Sequence, residues 1–496
     1  MKNFAKLLVL ALTVALVASL FAVSVFAAPA TEPGADPTKL VPGSDKVIFI
    51  KDAPRDENYV VTGELAGDGT GTDADNPLKP TDHEKFTPDA AHPNYHLQTA
   101  FYQATEMLAE TGGTIVICGP VYFGELECWG SGASVRDTFT ANFKNNVIKF
   151  TSVYNGVDYR ETAGAKMIVN TPAMVSILGS SIWENIDIAT VSTGRAITFD
   201  EYCTYIGEGV KCYPTDDAFE GVAQNYISIA NGHRYAASKD ENPTMTVMSG
   251  TYNIIAGGAW GTVATSGDKP INMENANVNL TLGGTTKVLG QLFGTVQAKM
   301  GFSGNATVTI NGGTYECDIN CVGPTGMLNT DGVVTLKING GDFKNSWSIN
   351  KAAMGATNNM PAVCTVDFSG WTGEKVDLAF AHSVITDITD VKLPAGVSAD
   401  EFQALIDAYV PAATEPAETT PAATTPAATT PAETTPAATE PEADDEETKA
   451  PETAAPIVDD GAEGGSNMTV IIIAIVAVVV IAGVVVGIVL AKKKKK

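Results

Sequence analysis

The residues best suited to acid and base chemistry lie near the middle of the chain. Asp216 and Asp217 form an acidic pair, and His233 and Arg234 follow shortly after it. Carboxyls, an imidazole and a cation together can move protons and stabilise charge in general acid/base catalysis. The segment YPTDDAFEG around the pair is also typical of an exposed loop, whose charges are simply solvated. The sequence therefore offers these four side chains as candidates and assigns no catalytic residue.

A second group of side chains is rich in oxygen. Asp68, Asp73 and Asp75 stand close together before Asn76, and carboxylate oxygens are ligands that Ca²⁺ prefers. The group lacks the terminal glutamate and the ligand spacing of an EF-hand loop, so a polar turn is the alternative. The pattern leaves a calcium site open as the alternative, and otherwise predicts no cofactor and no metal site.

Two tryptophans could contact a carbohydrate. Trp260 and Trp347 lie near the corners of predicted repeats, in AGGAWGT and KNSWSIN. A sugar ring can stack on the apolar face of an indole, whereas burial of the indole in the core is the alternative. We therefore name Trp260 and Trp347 as candidate ligand-binding residues.

The charge of the chain limits its partners. It carries 57 acidic and 31 basic residues, a net charge of −26. Nucleic acids and other polyanions are bound through basic surfaces, so we expect no nucleic-acid partner. Acidity of this kind also keeps an extracellular protein soluble.

The elements that must position these side chains are repeated strands. Short alternating apolar segments precede glycine five times, in TMTVMSGTY, NLTLGGTT, TVTINGGTY, TLKINGGDF and CTVDFSGW, with the glycines 28 to 34 residues apart. A fixed period of strand and turn predicts stacked supersecondary units. We therefore expect an all-β protein, a parallel β-helix whose coils turn at glycines.

An amphipathic helix is predicted before these strands. Between Tyr95 and Thr111, apolar residues recur at helical spacing, with Asn94 as a candidate N-cap and Gly112 as a candidate C-cap. Its apolar stripe would cover the first coil and protect the open strand edge. The segment GGTIVICG that follows is predicted to be the first full strand.

With these features the chain resembles the pectate-lyase-like right-handed parallel β-helix superfamily. The resemblance rests on GDGTG at 67–71, the helix, GGTIVICGPVYFG at 112–124 and the later NGGTY-type coils. It implies the right-handed β-helix fold. Members include polysaccharide lyases, glycoside hydrolases, adhesins and non-catalytic surface proteins, so the fold alone does not decide the reaction.

The catalytic motifs of the superfamily are not found in their usual order. Its pectin hydrolases carry an NTD motif, then an acidic pair, then a GH histidine and an RIK-like motif. Here NTD at 329–331 follows the acidic pair and His233, and no RIK-like motif comes after it. The order argues against a hydrolase of this type.

Both chain ends carry targeting signals. Residues 1–27 combine lysines, a long apolar stretch and small residues at a cleavage site, which predicts a secretory signal peptide. Residues 467–491 are uncharged and mostly apolar, and five lysines follow at 492–496. At about 1.5 Å per residue, this run makes a transmembrane helix long enough for a hydrocarbon core of about 30 Å. The positive-inside rule keeps the lysine tail cytoplasmic.

A spacer separates the predicted anchor from the folded part. Residues 411–466 are rich in Thr, Pro, Ala and Glu and cannot build a core, which predicts a disordered, extended segment. Residues 39–410 form the predicted β-helix domain. A spacer and a single span suit a Gram-positive bacterial surface, and no LPxTG signal precedes the span. We therefore expect a single-pass protein of the cell membrane with an extracellular domain.

These observations favour a non-catalytic surface protein that binds a glycan or a neighbouring cell-surface component. A tethered polysaccharide lyase or glycoside hydrolase is the first alternative and requires acids and a base assembled on one face. A structural surface-layer component is the second, and it requires a lattice contact instead of a cleft. Expected partners are the membrane, through the C-terminal helix, and a polysaccharide or another surface protein.

Overall fold

The computed structural model covers most of the predicted β-helix domain. The residues it describes are 36–54, 62–65, 67–79, 100–123, 140–169, 175–191, 196–199, 202–232, 242–259, 265–266, 269–270, 272–297, 301–323, 332–343, 349–352, 363–383 and 390–409. The predicted signal peptide, spacer, transmembrane helix and lysine tail lie outside them. Within these ranges no helix has the length and apolar character needed to cross a bilayer.

Strands dominate the described part of the chain. They are β1 (Val47–Ile50), β2 (Gly113–Ile117), β3 (Pro120–Phe123), β4 (Thr140–Thr151), β5 (Val153–Tyr154), β6 (Val157–Asp158), β7 (Lys166–Val169), β8 (Val175–Glu184), β9 (Asp187–Thr190), β10 (Ala196–Thr198), β11 (Cys203–Ile206), β12 (Lys211–Pro214), β13 (Ser228–Ala230), β14 (Thr244–Val247), β15 (Thr251–Ala256), β16 (Thr265–Ser266), β17 (Lys269–Pro270), β18 (Asn272–Leu282), β19 (Lys287–Phe293), β20 (Gly301–Ile310), β21 (Thr314–Tyr315), β22 (Asp318–Val322), β23 (Val333–Ile338), β24 (Ile349–Ala352), β25 (Val363–Asp367) and β26 (Asp390–Lys392).

These strands stack in long parallel ladders. The first ladder runs β1-β2-β4-β8-β11-β14-β18-β20-β23-β25-β26. The second runs β4-β8-β10-β13-β15-β19-β22-β24. The third is the four-stranded sheet β3-β7-β9-β12. Parallel ladders built from consecutive turns of the chain are consistent with a parallel β-helix, as the repeat predicts.

The register of the first ladder brings like residues together. Its inward positions form one buried column, in which Met245 pairs with Leu280, Leu280 with Val308 and Val308 with Leu336. Asparagine amides also stack from coil to coil. Asn305 Nδ2 donates to Asn277 Oδ1, 28 residues earlier, at 3.4 Å. Asn339 Nδ2 donates to Asn311 Oδ1 at the same spacing and 2.9 Å. The repeat of 28 to 34 residues predicted from the sequence thus corresponds to one coil.

Glycines mark the corners of these coils. Gly250, Gly284, Gly313 and Gly341 all have positive φ, as the repeat requires, whereas Gly370 does not. At Gly284 a Cβ atom would lie 2.2 Å from the Met248 carbonyl oxygen of the preceding coil. A side chain there would clash with the backbone as well as strain it.

The described part of the N-terminal helix spans Ala100–Leu108, so the helix ends before Thr111, where the predicted segment ends; residues 95–99 lie outside the described residues. Phe101 stacks on Phe150 of β4 at 5.3 Å, and Ala104 and Leu108 are also buried, so the helix covers the core of the first coils as expected. Gly112 has φ +64° and donates to the Leu108 carbonyl, which confirms the C-cap. Met107, expected on the apolar stripe, is instead 48% exposed.

Two features of this end differ from the prediction. The helix does not precede all strands, because β1 comes before it and pairs in parallel with β2. The four residues of β1, VIFI, are too short to show a period, which is why the strand was not expected. The first described residue of the helix is held by Asp52, whose Oδ1 accepts the Ala100 amide at 3.2 Å, while Oδ2 accepts the Tyr122 amide. Asn94 lies outside the described residues.

The opposite end is covered by a helix that the sequence analysis did not predict. It spans Ala399–Asp407 and follows the 3₁₀ segment Lys375–Ser383. Ser398 caps it by accepting the Glu401 amide. Phe402 packs against Phe368 with ring centroids 6.0 Å apart, so the helix covers the last coil of the core.

Candidate functional site

The outer face of the first ladder carries hydroxyl groups in register. On β18, β20, β23 and β25 one outward column is Asn279, Thr307, Thr335 and Thr365, and the next begins Thr281, Thr309. Alternate residues of a strand share a face, so the threonines of NLT on β18, TVT on β20, TLK on β23 and TVD on β25 all point outward. We call Thr281, Thr307, Thr309, Thr335 and Thr365 the hydroxyl face.

The hydroxyls of this face are available to a ligand. All five threonines are partly exposed, and no described residue forms a hydrogen bond with their side-chain oxygens. Neighbouring rungs are about 4.8 Å apart and alternate residues about 6.8 Å apart, so the hydroxyls form a regular grid. β-branched side chains in strands have restricted χ1, so the hydroxyl directions are largely fixed before a ligand arrives.

Amides and valines border the face on one side. Asn277 Nδ2 donates to Asn242 Oδ1 at 2.9 Å, and Asn305 continues this ladder on the next rung. The same column then changes to Val333 and Val363, which are 42% and 41% exposed. The border therefore offers both polar and apolar contact beside the hydroxyls.

The two ends of the face are bounded differently. On the preceding rung, Thr244 and Thr246 are buried where the 3₁₀ segment Pro37–Lys39 packs on β14. At the far end the column beyond Thr309 becomes charged, and Asp367 forms an ion pair with Lys392 at 3.8 Å. Burial acts to raise the pKa of Asp367, but hydrogen bonds from Ser369 and the nearby lysines lower it overall. The column of Asn279, Thr307, Thr335 and Thr365 is thus uncharged across β18–β25, whereas the column of Thr281 and Thr309 continues with Lys337 and Asp367.

The predicted acid/base group is only partly described. Asp216 and Asp217 lie in an exposed 3₁₀ turn, in which Asp216 accepts the Ala218 amide at 2.9 Å and so caps the segment Asp217–Phe219. This agrees with the alternative of a polar loop. His233 and Arg234 lie outside the described residues, so the structure gives no distance between them and the acidic pair. A shared catalytic role for the four side chains stays a prediction.

The predicted calcium ligands lie on one exposed turn. Asp68 accepts hydrogen bonds from Thr70, and Asp73 accepts the amides of Asp75 and Asn76. These hydrogen bonds lower the pKa of Asp68 and of Asp73. Across the described ranges no cluster of three or more His, Cys, Asp or Glu side chains is arranged to hold a metal ion. Calcium binding at this turn stays a prediction.

The predicted aromatic platform cannot be located, because Trp260 and Trp347 both lie outside the described residues. Another tryptophan that the structure does describe is structural. Trp183 of β8 is 1% exposed and stacks on Phe150 at 4.4 Å. Its Nε1 donates to Ser181 Oγ at 2.9 Å.

The third ladder carries a cluster of ionisable side chains that the sequence analysis did not identify. Arg160 forms a bidentate contact with Asp158, at 2.9 and 2.6 Å, and its Nη1 donates to the Gly209 carbonyl at 2.8 Å. Asp187 on β9 lies 3.8 Å from the same Nη1, and Tyr213 donates to it at 3.4 Å. The cluster joins residues from four separate segments, so no local motif could have revealed it.

The electrostatics of this cluster separate its two carboxyls. The hydrogen bond from Arg160 lowers the pKa of Asp158. Burial raises the pKa of Asp187 despite the nearby Lys211 and Arg160, and its Oδ1 is buried without a hydrogen-bond partner. Burial also raises the pKa of Tyr213 to about 12. A carboxyl that keeps its proton more readily than its neighbour is what general acid catalysis requires.

The chain matches no protein-family model, and it shows no significant similarity to a curated protein or to a solved structure.

Sequence reasoning missed the hydroxyl face although its signal was present. In five successive repeats, the first and third residues of TMT, NLT, TVT, TLK and TVD fill the outward positions. Reading only the apolar positions of each repeat located the coils but ignored the polar positions between them. Aligning the repeats by their glycines would have shown that the threonines share columns.

Proposed function

We propose that this protein is a membrane-anchored surface protein whose right-handed, pectate-lyase-like β-helix binds a glycan or a neighbouring cell-surface component without cleaving it. The observation that carries this proposal is the hydroxyl face, five in-register hydroxyls with no partner in the described structure. The predicted signal peptide, spacer and C-terminal span support its display outside the cell.

The chemistry of the face favours a neutral ligand. Hydroxyls both donate and accept hydrogen bonds, which matches the hydroxyls of a sugar chain. A charged ligand would lose hydration on the threonine hydroxyls, which carry no charge, and a polyanion would also be repelled by the net charge of −26. Val333 and Val363 can cover apolar C–H surface of the same ligand. A neutral polysaccharide lying across β18–β25 is therefore the ligand class we propose.

A retention experiment tests this function. The full-length protein in lipid nanodiscs is passed over a panel of immobilised neutral and acidic polysaccharides, with and without calcium. Thr307→Arg combined with Thr335→Arg places two cations on the face and should abolish retention on neutral polysaccharide. Thr285→Arg is the matched control, because Thr285 is exposed in the turn after β18 and lies off the face.

The same incubation decides between binding and catalysis. Retention without new reducing or unsaturated ends supports the proposal, and release of such ends contradicts it. Retention that the double variant leaves unchanged would show that the ligand binds elsewhere. Retention on no polysaccharide in the panel would refute a neutral glycan as the ligand.

A second candidate is a tethered polysaccharide lyase or glycoside hydrolase. It is supported by the cluster around Asp187, in which a carboxyl with a raised pKa lies beside Tyr213 and Arg160. If the panel yields cleavage products, Asp187→Asn should remove the activity while Asp216→Asn leaves it. Unchanged cleavage by Asp187→Asn would place the chemistry elsewhere.

A further inference from the structure

A short segment near the N-terminus lies across the outer face of the first ladder. We call residues 36–42 the N-terminal strap. The strap contains the 3₁₀ turn Pro37–Lys39, which packs on β11 and β14. Pro37 is the only strap residue that is buried. Directly after the strap, the Gly43 amide donates to the Val147 carbonyl of β4 at 2.9 Å.

Two threonines on β14, where the strap packs, continue the hydroxyl face by one rung. Thr244 pairs with Asn279 of β18, and Thr246 pairs with Thr281. Both flank Met245, which lies in the core, so both point outward like the residues of the face. They are nevertheless only 6% and 5% exposed. The covered rung therefore carries the same chemistry as the exposed face beside it.

A cysteine on the rung before these threonines also lies close to the strap. Cys203 of β11 pairs with Thr244, so it points outward, and it is 0% exposed. Burial raises the pKa of its thiol to about 12, and the nearby Asp36 carboxylate of the strap acts in the same direction. The thiol of Cys203 is thus a natural probe for the position of the strap.

The attachment of the strap to the strands is weak. Its hydrogen bonds are internal, since Asp36 accepts the Thr38 amide at 3.1 Å and the Leu40 amide donates to the Pro37 carbonyl at 3.2 Å. No hydrogen bond joins residues 36–42 to another described segment. A segment with one buried side chain and no ladder hydrogen bonds opens at a lower free energy than the strands beneath it.

We propose that the N-terminal strap opens while the β-helix stays folded, and that its opening adds Thr244 and Thr246 to the hydroxyl face. In the closed state the strap occupies the place where a neutral polysaccharide would contact these two hydroxyls. This second part rests on the proposed function, because it requires that the hydroxyl face binds such a ligand. The strap is thus an autoinhibitory contact that limits how many rungs the ligand can reach.

Thiol labelling tests the opening without any polysaccharide. The full-length protein in nanodiscs is incubated with N-ethylmaleimide, and peptide mass spectrometry follows the labelling of each cysteine. Cys212 is the internal reference, because it lies in the core and the pKa of its thiol is also raised to about 12. In the closed structure Cys203 is no more exposed than Cys212, at 0% against 5%. Opening of the strap should make Cys203 react about tenfold faster than Cys212.

Two variants show whether the strap controls this reaction. Pro37→Glu places a carboxylate in the buried contact, so it should release the strap and speed the labelling of Cys203 by a further tenfold or so. Val41→Glu is the matched control, because it adds the same charge to the strap at a residue that is 54% exposed. It should leave the labelling rate of Cys203 unchanged. Circular dichroism and thermal unfolding check that each variant keeps the fold.

Retention on the neutral polysaccharides of the panel tests the effect on binding. Pro37→Glu should bind about tenfold more tightly than wild type, because two further hydroxyls become available. Adding Thr244→Val and Thr246→Val to Pro37→Glu should return retention to the wild-type level. The same two valines in the wild-type background should have little effect, since the closed strap already covers both positions.

Each outcome decides one part of the proposal. Equal labelling of Cys203 and Cys212, or equal effects of Pro37→Glu and Val41→Glu on Cys203, would overturn the opening. Opening without stronger retention on a polysaccharide that wild type retains would overturn the autoinhibitory role. If neither wild type nor Pro37→Glu is retained on the panel, the proposed function fails, and the labelling rates still decide whether the strap opens.

Discussion

Replacing the threonines in one column of the hydroxyl face by valine removes the proposed hydrogen bonds without changing the shape of the side chains. Thr307, Thr335 and Thr365 occupy adjacent rungs of β20, β23 and β25, and all three are only partly exposed. Valine keeps the β-branched shape and the strand preference of threonine and lacks the hydroxyl. Each hydrogen bond to a ligand contributes about 0.5–1.5 kcal/mol net, so three contribute about 1.5–4.5 kcal/mol. At about 1.4 kcal/mol per factor of ten, the triple variant should bind about ten- to a thousandfold more weakly.

The assay is a titration of the polysaccharide that the panel identifies, with wild type, the triple variant and Thr285→Val in parallel. Thr285→Val adds the same methyl group off the face and should bind like wild type. Because the altered residues make no side-chain hydrogen bonds to described residues, thermal unfolding should stay close to wild type. Size-exclusion chromatography checks that the added apolar surface does not cause association. Wild-type affinity in the triple variant would refute the reasoning, since the ligand would then not use these hydroxyls.

Two further predictions concern the fold that carries the face. Trp183→Ala removes a fully buried indole, its stack on Phe150 and the hydrogen-bond partner of Ser181. The free energy of unfolding, measured in urea, should fall by about 3–5 kcal/mol. A loss under about 1 kcal/mol would contradict the described core. Asp158 and Asp187 should respond to pH with opposite sign. The pKa of Asp158 is lowered, so this carboxyl stabilises the fold above the ordinary pKa of 3.8 and stops doing so as the pH falls. Asp158→Asn should therefore lower Tm at neutral pH and have a smaller effect in acid. The pKa of Asp187 is raised, so its contribution to stability is present below the ordinary pKa of 3.8 and is lost as the pH rises through the raised pKa. Asp187→Asn should therefore raise Tm at neutral pH, and this gain should disappear in acid. Shifts of the same sign for the two variants would show that the two carboxyls are not separated as described.

The periodic part of the fold could be predicted because one coil repeats in the sequence. The glycines that mark the corners recur with the coil, and the structure places four of the five at positive φ. The alternation of apolar residues in β18, β20, β23 and β25 is also regular, and the stacked asparagines 28 residues apart follow from the same repeat. Local pattern was sufficient wherever each coil resembled the next.

The remaining elements depend on contacts between distant residues. β1 is too short to be recognised alone and exists because it pairs with β2, beyond an intervening helix. The first described residue of that helix, Ala100, is held by Asp52, 48 residues before it. The C-terminal helix has an apolar face, but that face is buried only because Phe402 packs against Phe368 in the last coil. Sequence periodicity carries no information about such pairings.

The same reason explains what was missed in the site. The Asp187 cluster combines β9 and β12 with Arg160 of the short helix Tyr159–Ala163, and only folding brings them together. The hydroxyl face, in contrast, follows from the repeat and can be predicted from the residues at its outward positions. His233, Arg234, Trp260 and Trp347 remain candidates whose placement lies outside the described residues.

The matched register of β18, β20 and β23 makes the stack of coils modular in length. Leu282, Ile310 and Ile338 occupy the same inward position on successive rungs, so a whole coil could be duplicated or removed here without shifting any side chain to the other face. Each added coil would lengthen the stack by about 4.8 Å and add one row of outward residues. The hydroxyl face could therefore grow in fixed steps, by duplication within the gene, while the two end caps stay unchanged.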